Sequence, residues 1–217
     1  MSAHRFSIHR FAPQGPLTGR IRVPGDKSIS HRALMFASLA IGETLIDGLL
    51  EGEDVHATAR AMQQMGARIE RDESGRWRVH GVGVGGLLEP EAPLEMGNSG
   101  TSTRLLMGLL ASHGFQASFT GDASLSARPM ARVIAPLSQM GASFTARAGD
   151  RLPIVMDGAH PAVPITYRLP VASAAATNST GNSSIMLGAM AGSTSIPLSA
   201  ECRTRRSATG SPPTSRH

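Results

Sequence analysis

Aromatic residues are scarce in this chain of 217 residues: Phe, Tyr and Trp together make up 4%. A core must therefore be built from Leu, Val, Ile, Met and Ala, and a nucleic-acid surface with stacked aromatic side chains is excluded. A single cysteine, Cys202, excludes an internal disulfide and any multi-cysteine metal site, and fits a reducing compartment. No apolar run approaches the roughly 18 residues that a membrane span needs. Residues 1–25 contain no acidic group, a composition with a faint likeness to an organelle transit peptide. The stretch runs directly into the first expected strand, so residues 1–20 read as a plain N-terminal arm. Hydrophobic residues make up 41%, enough for a core, and the net charge is +5. The chain has no Lys/Arg run. Its basic residues are scattered at expected turns, which points to small anionic ligands rather than nucleic acid.

The stretch around which the rest is arranged is Gly25-Asp26-Lys27-Ser28-Ile29-Ser30-His31-Arg32. It lies between a short strand-like run, Ile21–Pro24, and an apolar run of good helix formers, Ala33–Ala40. A helix that starts here presents unpartnered backbone N–H groups and the positive end of its dipole. Lys27 and Arg32 add two cations, and Ser28 and Ser30 add hydroxyl donors. The direct reading is a pocket for a phosphate or carboxylate. The other reading is Ser28 or Ser30 as a helix cap, with Lys27 and Arg32 simply solvated.

The pattern Gly-Asp-x-Ser-x-Ser-x-Arg returns at Gly121–Arg128, and a Met-Gly-Ala follows each copy, at Met65–Ala67 and Met140–Ala142. This predicts a duplicated unit with basic residues placed equivalently in each. In the first unit, residues 21–24 read as a strand, 29–40 as a helix, 44–49 as a strand and 54–65 as a helix. Glu53 and Asp54 suit the dipole-positive end of the second helix, whose apolar positions Val55, Ala59, Met62 and Met65 fall at helical spacing. Gly66 is a natural C-terminal stop. Residues 68–71 and 77–80 read as a hairpin around Asp72–Gly75. Gly81, Gly83, Gly85 and Gly86 crowd one stretch, but no helix start follows and Pro90 and Pro93 come soon after, so 81–86 reads as a linker.

Met96–Arg104 introduces an apolar helix at Leu105–Ala111. Asn98, Ser99, Thr101, Ser102 and Thr103 are cap-type residues, and Gly100 has no side chain to keep a ligand from the backbone. Arg104 either orders the turn or reaches an anion. A well-capped buried helix is the alternative. Residues 116–120 read as a strand, 129–140 as a helix that Pro136 should kink or shorten, and 143–146 with 152–156 as paired strands. A third unit begins at 165–169. Beyond about 175, Ser and Thr dominate and Glu201 is the single acid, a composition expected to stay disordered over 176–217.

Taken in order, Pro24–Arg32, Leu49–Asp54, Gly97–Arg104, Gly121–Met130 and Tyr167–Ala174 resemble the N-terminal part of the 5-enolpyruvylshikimate-3-phosphate synthase family, over residues 22–174. The wording is most similar to the bacterial branch typified by glyphosate-tolerant synthases. The resemblance implies an α/β fold: an inside-out α/β barrel domain of repeated strand–helix–strand–helix–strand–strand units. Residues 21–175 would hold two such units and the start of a third. It implies transfer of the enolpyruvyl group of phosphoenolpyruvate to the 5-hydroxyl of shikimate 3-phosphate, with release of phosphate. It implies no metal or organic cofactor, no nucleic-acid or membrane partner, a monomer, and a cytoplasmic location. Carried over by position, Lys27, Ser28 and Arg32 would hold shikimate 3-phosphate, with Ser173 and Ala174 near its phosphate. Lys27, Gly100 and Arg128 would hold phosphoenolpyruvate, with Asn98, Thr101 and Arg104 in support. Some tolerant relatives carry Ala where this chain has Gly100, so a complete enzyme with this site is expected to bind glyphosate.

The sequence then departs from the family. After Ser173-Ala174 the family continues with Gln-Val-Lys-Ser and an apolar helix, whereas this chain reads Ala175-Ala176-Thr177-Asn178. The glutamine that touches both substrates is missing. So is the second domain, with the carboxylates assigned to proton transfer, and no catalytic residue is named for that reason. Such a change is what a reading-frame shift in a G+C-rich gene gives. A frameshifted or truncated synthase with little turnover alone is the expectation, one that a separate C-terminal domain would complement. The alternatives are a non-catalytic phosphate-ligand-binding fragment, a relative acting on a UDP-sugar, and a gene remnant without a stable fold.

Overall fold

A computed structural model of the chain describes residues 19–21 and 23–167. The elements run α1 (Lys27–Leu39), β1 (Ile41–Ile46), α2 (Glu53–Gln64), β2 (Arg68–Arg71) and β3 (Trp77–Val82). Then follow β4 (Leu94–Glu95), α3 (Gly100–Leu110), β5 (Gln116–Thr120), α4 (Ala123–Ser126), α5 (Ala131–Gln139), β6 (Ser143–Arg147) and β7 (Arg151–Asp157). The strands make two sheets of the same design. In one the order is β1-β3-β2, in the other β4-β5-β7-β6, with antiparallel pairs throughout except β4 and β5, which are parallel.

The helices lie inside and the sheets outside. α1 packs on α2 and β3, α2 also on α3 and β4, and α3 on α5, which rests on β6. Strand residues alternate accordingly. Trp77 and Val79 are buried toward the helices, while Arg78 on the other face pairs with Glu43. With so few aromatics, methionine fills much of the shared core: Met35, Met62, Met65, Met96, Met107, Met130 and Met156 are fully buried. The architecture is the mixed α/β, inside-out arrangement of repeated units, and among the described residues it does not close a barrel.

Both units end their second helix alike. After α2, Gly66 takes φ 100°, its N–H bonds Gln63 O at 3.0 Å, and Ala67 N–H reaches Met62 O at 3.1 Å. After α5, Gly141 takes φ 108°, its N–H bonds Ser138 O at 3.1 Å, and Ala142 N–H reaches Leu137 O at 3.2 Å. These are paired Schellman stops, and each needs glycine at the left-handed position. The Met-Gly-Ala repeat is therefore a true structural repeat.

The Gly-Asp-x-Ser repeat is not, and this corrects the expected register. The first copy opens α1, but the second opens the short α4, between β5 and α5. Matching sheet to sheet places α1 opposite α3, α2 opposite α5, and the β1-β3-β2 sheet opposite β5-β7-β6. The two copies share a local task instead. Asp26 Oδ1 accepts from Ile29 N–H at 2.8 Å, and Asp122 Oδ1 accepts from Leu125 N–H at 2.7 Å.

Three further expectations need amending. Ile21, Val23 and Pro24 lie in no strand, and Ile21 and Val23 are largely exposed. The equivalent strand of the second unit, β4, buries Leu94 against α2 of the unit before it; residues 21–24 have no preceding unit among the described residues to cover them. The glycine-rich linker begins inside β3: an added Cβ at Gly81 would lie 2.2 Å from Ala40 O and 2.3 Å from Ala37 O. α5 starts later than expected and passes through Pro136 unbroken. Proline there removes one hydrogen bond, and the buried Val133 and Leu137 offset it. The hairpins stand as expected, β1 begins three residues earlier, and the third unit beyond Tyr167 lies outside the described residues, as do 1–18 and 176–217.

Gly81→Ala is expected to cost about 2 kcal/mol in urea unfolding, because its methyl group meets the backbone of α1. Gly85→Ala, which faces open space, is expected to stay within about 0.5 kcal/mol of the parent.

Candidate functional site

Three helices bring their N-terminal turns to one end of the core. On α1, Asp26 is the cap, not Ser28 or Ser30. Ser30 Oγ donates to Asp26 O at 2.7 Å and accepts from Leu50 N–H at 2.9 Å, which pins the loop before α2 against the start of α1. The approach is close enough that a Cβ on Gly25 would sit 2.2 Å from Gly48 O. Lys27, half exposed, places Nζ 2.5 Å from Asp54 Oδ2 in the first turn of α2. Ser28 is exposed, and Arg32 folds back so that Nη1 donates to Ser28 O at 3.0 Å.

A buried polar network joins these turns to α3. His31 is fully buried, with Nδ1 2.8 Å from Thr58 Oγ1 and 3.0 Å from Ser102 Oγ. The two hydroxyls lie 2.6 Å apart, and Ser102 Oγ is another 2.6 Å from Ser99 Oγ, the cap of α3. Thr58 Oγ1 also donates to Asp54 O at 3.2 Å. His31 Nε2 looks toward Asp54 Oδ2 at 3.8 Å, beyond hydrogen-bond distance.

Next to this network two guanidinium groups converge on Gly100. Arg104 Nη1 donates to Gly100 O at 3.3 Å. A Cβ on Gly100 would lie 3.0 Å from Arg104 Nη1 and 3.3 Å from Arg128 Nη1. Arg128 is exposed and steadied by a bond from Nη2 to Ser124 Oγ at 3.1 Å. Among the described residues Arg32, Arg104 and Arg128 enter no ion pair, whereas Lys27 is paired with Asp54.

The titrations follow from this crowding. Burial lowers the His31 pKa below its ordinary 6.5; Asp54 opposes that, and Lys27 and Arg32 add to it. For Asp54, burial works upward, but the Lys27 hydrogen bond and charge, with His31 and Val55 N–H, bring the net shift down. Arg104 is shifted down by burial and by repulsion from Arg128 and Arg132. Cations this close, over helix N-termini, can hold a polyanion.

Of the residues picked out in the sequence, the structure brings Gly100, Arg104 and Arg128 together directly and links Lys27, Ser28 and Arg32 to them through α2. Asn98 and Thr101 are exposed beside Gly100. Ser173 and Ala174 lie outside the described residues. Sequence reasoning passed over Asp54 as an ion-pair partner, and His31, Thr58 and Ser102 as a network. The available signals were His31 one helical turn after Lys27, and an Asp-x-x-x-Thr pair opening α2.

A family model described as EPSP synthase (3-phosphoshikimate 1-carboxyvinyltransferase) matches residues 11–200. The chain is 69% identical over 165 residues to the 3-phosphoshikimate 1-carboxyvinyltransferase of Novosphingobium aromaticivorans, a match covering 76% of this chain and 37% of that protein. It is 64% identical over 167 residues to the protein of the same name from Zymomonas mobilis, covering 77% and 36%. The solved EPSP synthase of Acinetobacter baumannii superposes with a TM-score of 0.72 at 44% identity, covering 78% of this chain and 38% of that one. The chain thus spans a little over a third of the length of the relatives it matches.

The lowered His31 pKa fixes the sign of a pH effect. Between the folded value and 6.5 the unfolded chain takes up a proton that the folded chain refuses, so stability falls as pH drops below about 6.5. The melting temperature is expected to fall from about pH 7 to about pH 5.5, and His31→Asn is expected to flatten that slope. An equal slope in both proteins would contradict it.

Proposed function

The chain belongs to the EPSP synthase family, and on that premise we propose that its described residues form the first half of a site for two polyanions, shikimate 3-phosphate and phosphoenolpyruvate. Lys27, Ser28 and Arg32 bind shikimate 3-phosphate, joined by Ser173 and Ala174. Lys27, Gly100 and Arg128 bind phosphoenolpyruvate, with Asn98, Thr101 and Arg104 shaping the turn. The observation that carries this reading is the pair of guanidinium groups at Gly100, which enter no ion pair among the described residues; Gly100 opens the helix that Asp54, the partner of Lys27, touches through Ser102.

The reaction transfers the enolpyruvyl group to the 5-hydroxyl of shikimate 3-phosphate: the hydroxyl loses its proton as a new C–O bond forms at the enol carbon, and phosphate leaves with the electron pair of the C–O bond that breaks, the proton going overall to the released phosphate. What this half contributes is position and charge. Fixed cations at the leaving phosphate and at the carboxylate favour the state in which negative charge gathers on the departing group. No proton-transfer group is assigned among these residues, and this chain alone is expected to turn over weakly or not at all. The setting is a cytoplasmic monomer, completed by a C-terminal domain. Among the described residues no helix is long and apolar enough to cross a membrane.

Thermal unfolding of the full chain with and without millimolar shikimate 3-phosphate tests the reading. A ligand at about 100 times its dissociation constant adds about 2.7 kcal/mol to the folded state. Lys27→Ala is expected to remove most of that gain; a melt that the ligand leaves unmoved in the parent contradicts the site. With a complementing C-terminal domain, glyphosate is expected to inhibit turnover, and an inhibition curve flat to millimolar contradicts that expectation. Gly100→Ala presses its methyl group on both guanidinium groups. It is expected to weaken glyphosate and phosphoenolpyruvate while sparing shikimate 3-phosphate.

A further inference from the structure

Nε2 of His31 is a buried nitrogen without a hydrogen-bond partner. Its surroundings decide which ring nitrogen carries the proton. Nδ1 meets two hydroxyls, Thr58 at 2.8 Å and Ser102 at 3.0 Å; Thr58 gives its one proton to Asp54 O, so Ser102 is the hydroxyl that can donate to Nδ1. Nε2 meets Asp54 Oδ2 at 3.8 Å. A lone pair at Nε2 would point at a carboxylate, whereas an N–H points its positive end at that charge. The charged groups around the ring are Asp54 on α2 and Lys27 and Arg32 on α1, while α3 offers the hydroxyls of Ser99 and Ser102. Two cations and full burial disfavour imidazolium, which leaves a neutral ring with one proton to place.

We propose that His31 is a positioning residue: a neutral imidazole that carries its proton on Nε2, aims it at Asp54, and holds that carboxylate in place beside Lys27. The consequence for ligands rests on the proposed function. Asp54 is the anion already at Lys27, and an incoming phosphate must share that cation with it. Drawn partly toward His31, Asp54 leaves Lys27 charge available. Without the Nε2–H, Lys27 is the carboxylate's one remaining side-chain partner, the pair closes, and the anion site weakens. Through Nδ1 the same ring ties α1 to Ser102, which bonds the cap of α3 next to Gly100. One side chain thereby relates both halves of the anion site.

The test compares the full chain with His31→Asn and His31→Gln. An Asn amide reaches the Nδ1 position and can still satisfy Thr58 and Ser102; a Gln amide reaches the Nε2 position. In 15N-histidine spectra, the resonance that vanishes in His31→Asn is expected to show a neutral ring protonated on Nε2. His31→Asn is expected to melt within a few degrees of the parent at neutral pH. It should bind shikimate 3-phosphate about five- to tenfold more weakly, a loss of about 1 to 1.4 kcal/mol, and His31→Gln should recover most of it. A ring protonated on Nδ1, or one with the signature of a solvated imidazole, overturns the proposal. So does an Asn variant with parental affinity, and so does one that fails to fold, since the ring would then be a structural clamp. If the parent chain takes up no shikimate 3-phosphate, the proposed function falls, while the proton position on His31 still decides this inference.

Discussion

Between α2 and α3 the hydroxyls of Thr58 and Ser102 lie 2.6 Å apart, with the His31 ring of α1 against both. Helices brought together at their N-termini set two problems. Their first-turn N–H groups need partners, and their dipole-positive ends repel. The short side chains of Asp26 and Ser99 satisfy the N–H groups without holding the backbones apart. Glu53 and Asp54 ease the repulsion at α2. The buried hydroxyls and Nδ1 of His31 fill the remaining space with polar atoms that meet one another, and Nε2 of the same ring is left without a hydrogen bond. The proposed anion site depends on this junction keeping its geometry.

Around the junction the charge is uneven. Asp54 answers Lys27, but Arg32, Arg104 and Arg128 have no carboxylate of their own among the described residues. Arg104 is shifted down first by burial and then by repulsion from Arg128 and Arg132, so keeping these cations close without a ligand works against the charged form. Glycine makes the crowding possible. Gly25 lets its loop lie on Gly48. Gly121 does the same at Gly97, whose carbonyl accepts from Asp122 N–H at 2.8 Å. Each contact fixes a loop that carries part of the proposed site, so the backbone is set before any ligand arrives.

Much of this was legible in the sequence, for local reasons. Helical spacing, acidic first turns and the Met-Gly-Ala stops each depend on a few neighbouring residues, and those elements stand where they were expected. The helix starts at Lys27 and Gly100 were legible too, because small polar residues favour the ends of helices. The misreadings share one cause. Asp26 and Asp122 look like copies of one element because the same capping task selects the same residues, though the fold places them at different points of the repeat. Residues 21–24 have the composition of a strand, but a strand needs a neighbour to bury it. The His31 contacts span 27 and 71 residues of chain, so no local pattern announces them. Asp54 read as a helix-dipole residue and proved to be the counter-charge of Lys27.

The central claim is that the turn at Lys27–Arg32 and the turn at Asn98–Arg104 form one anion site. Backbone amide shifts of the full chain, followed during titration with shikimate 3-phosphate and then phosphoenolpyruvate, test it most directly. Amides of both turns should move with a common dissociation constant for the first ligand, and the shifts near Gly100 and Arg128 should grow with the second. Shifts scattered over exposed arginines of the outer sheet faces, with both turns silent, would contradict it.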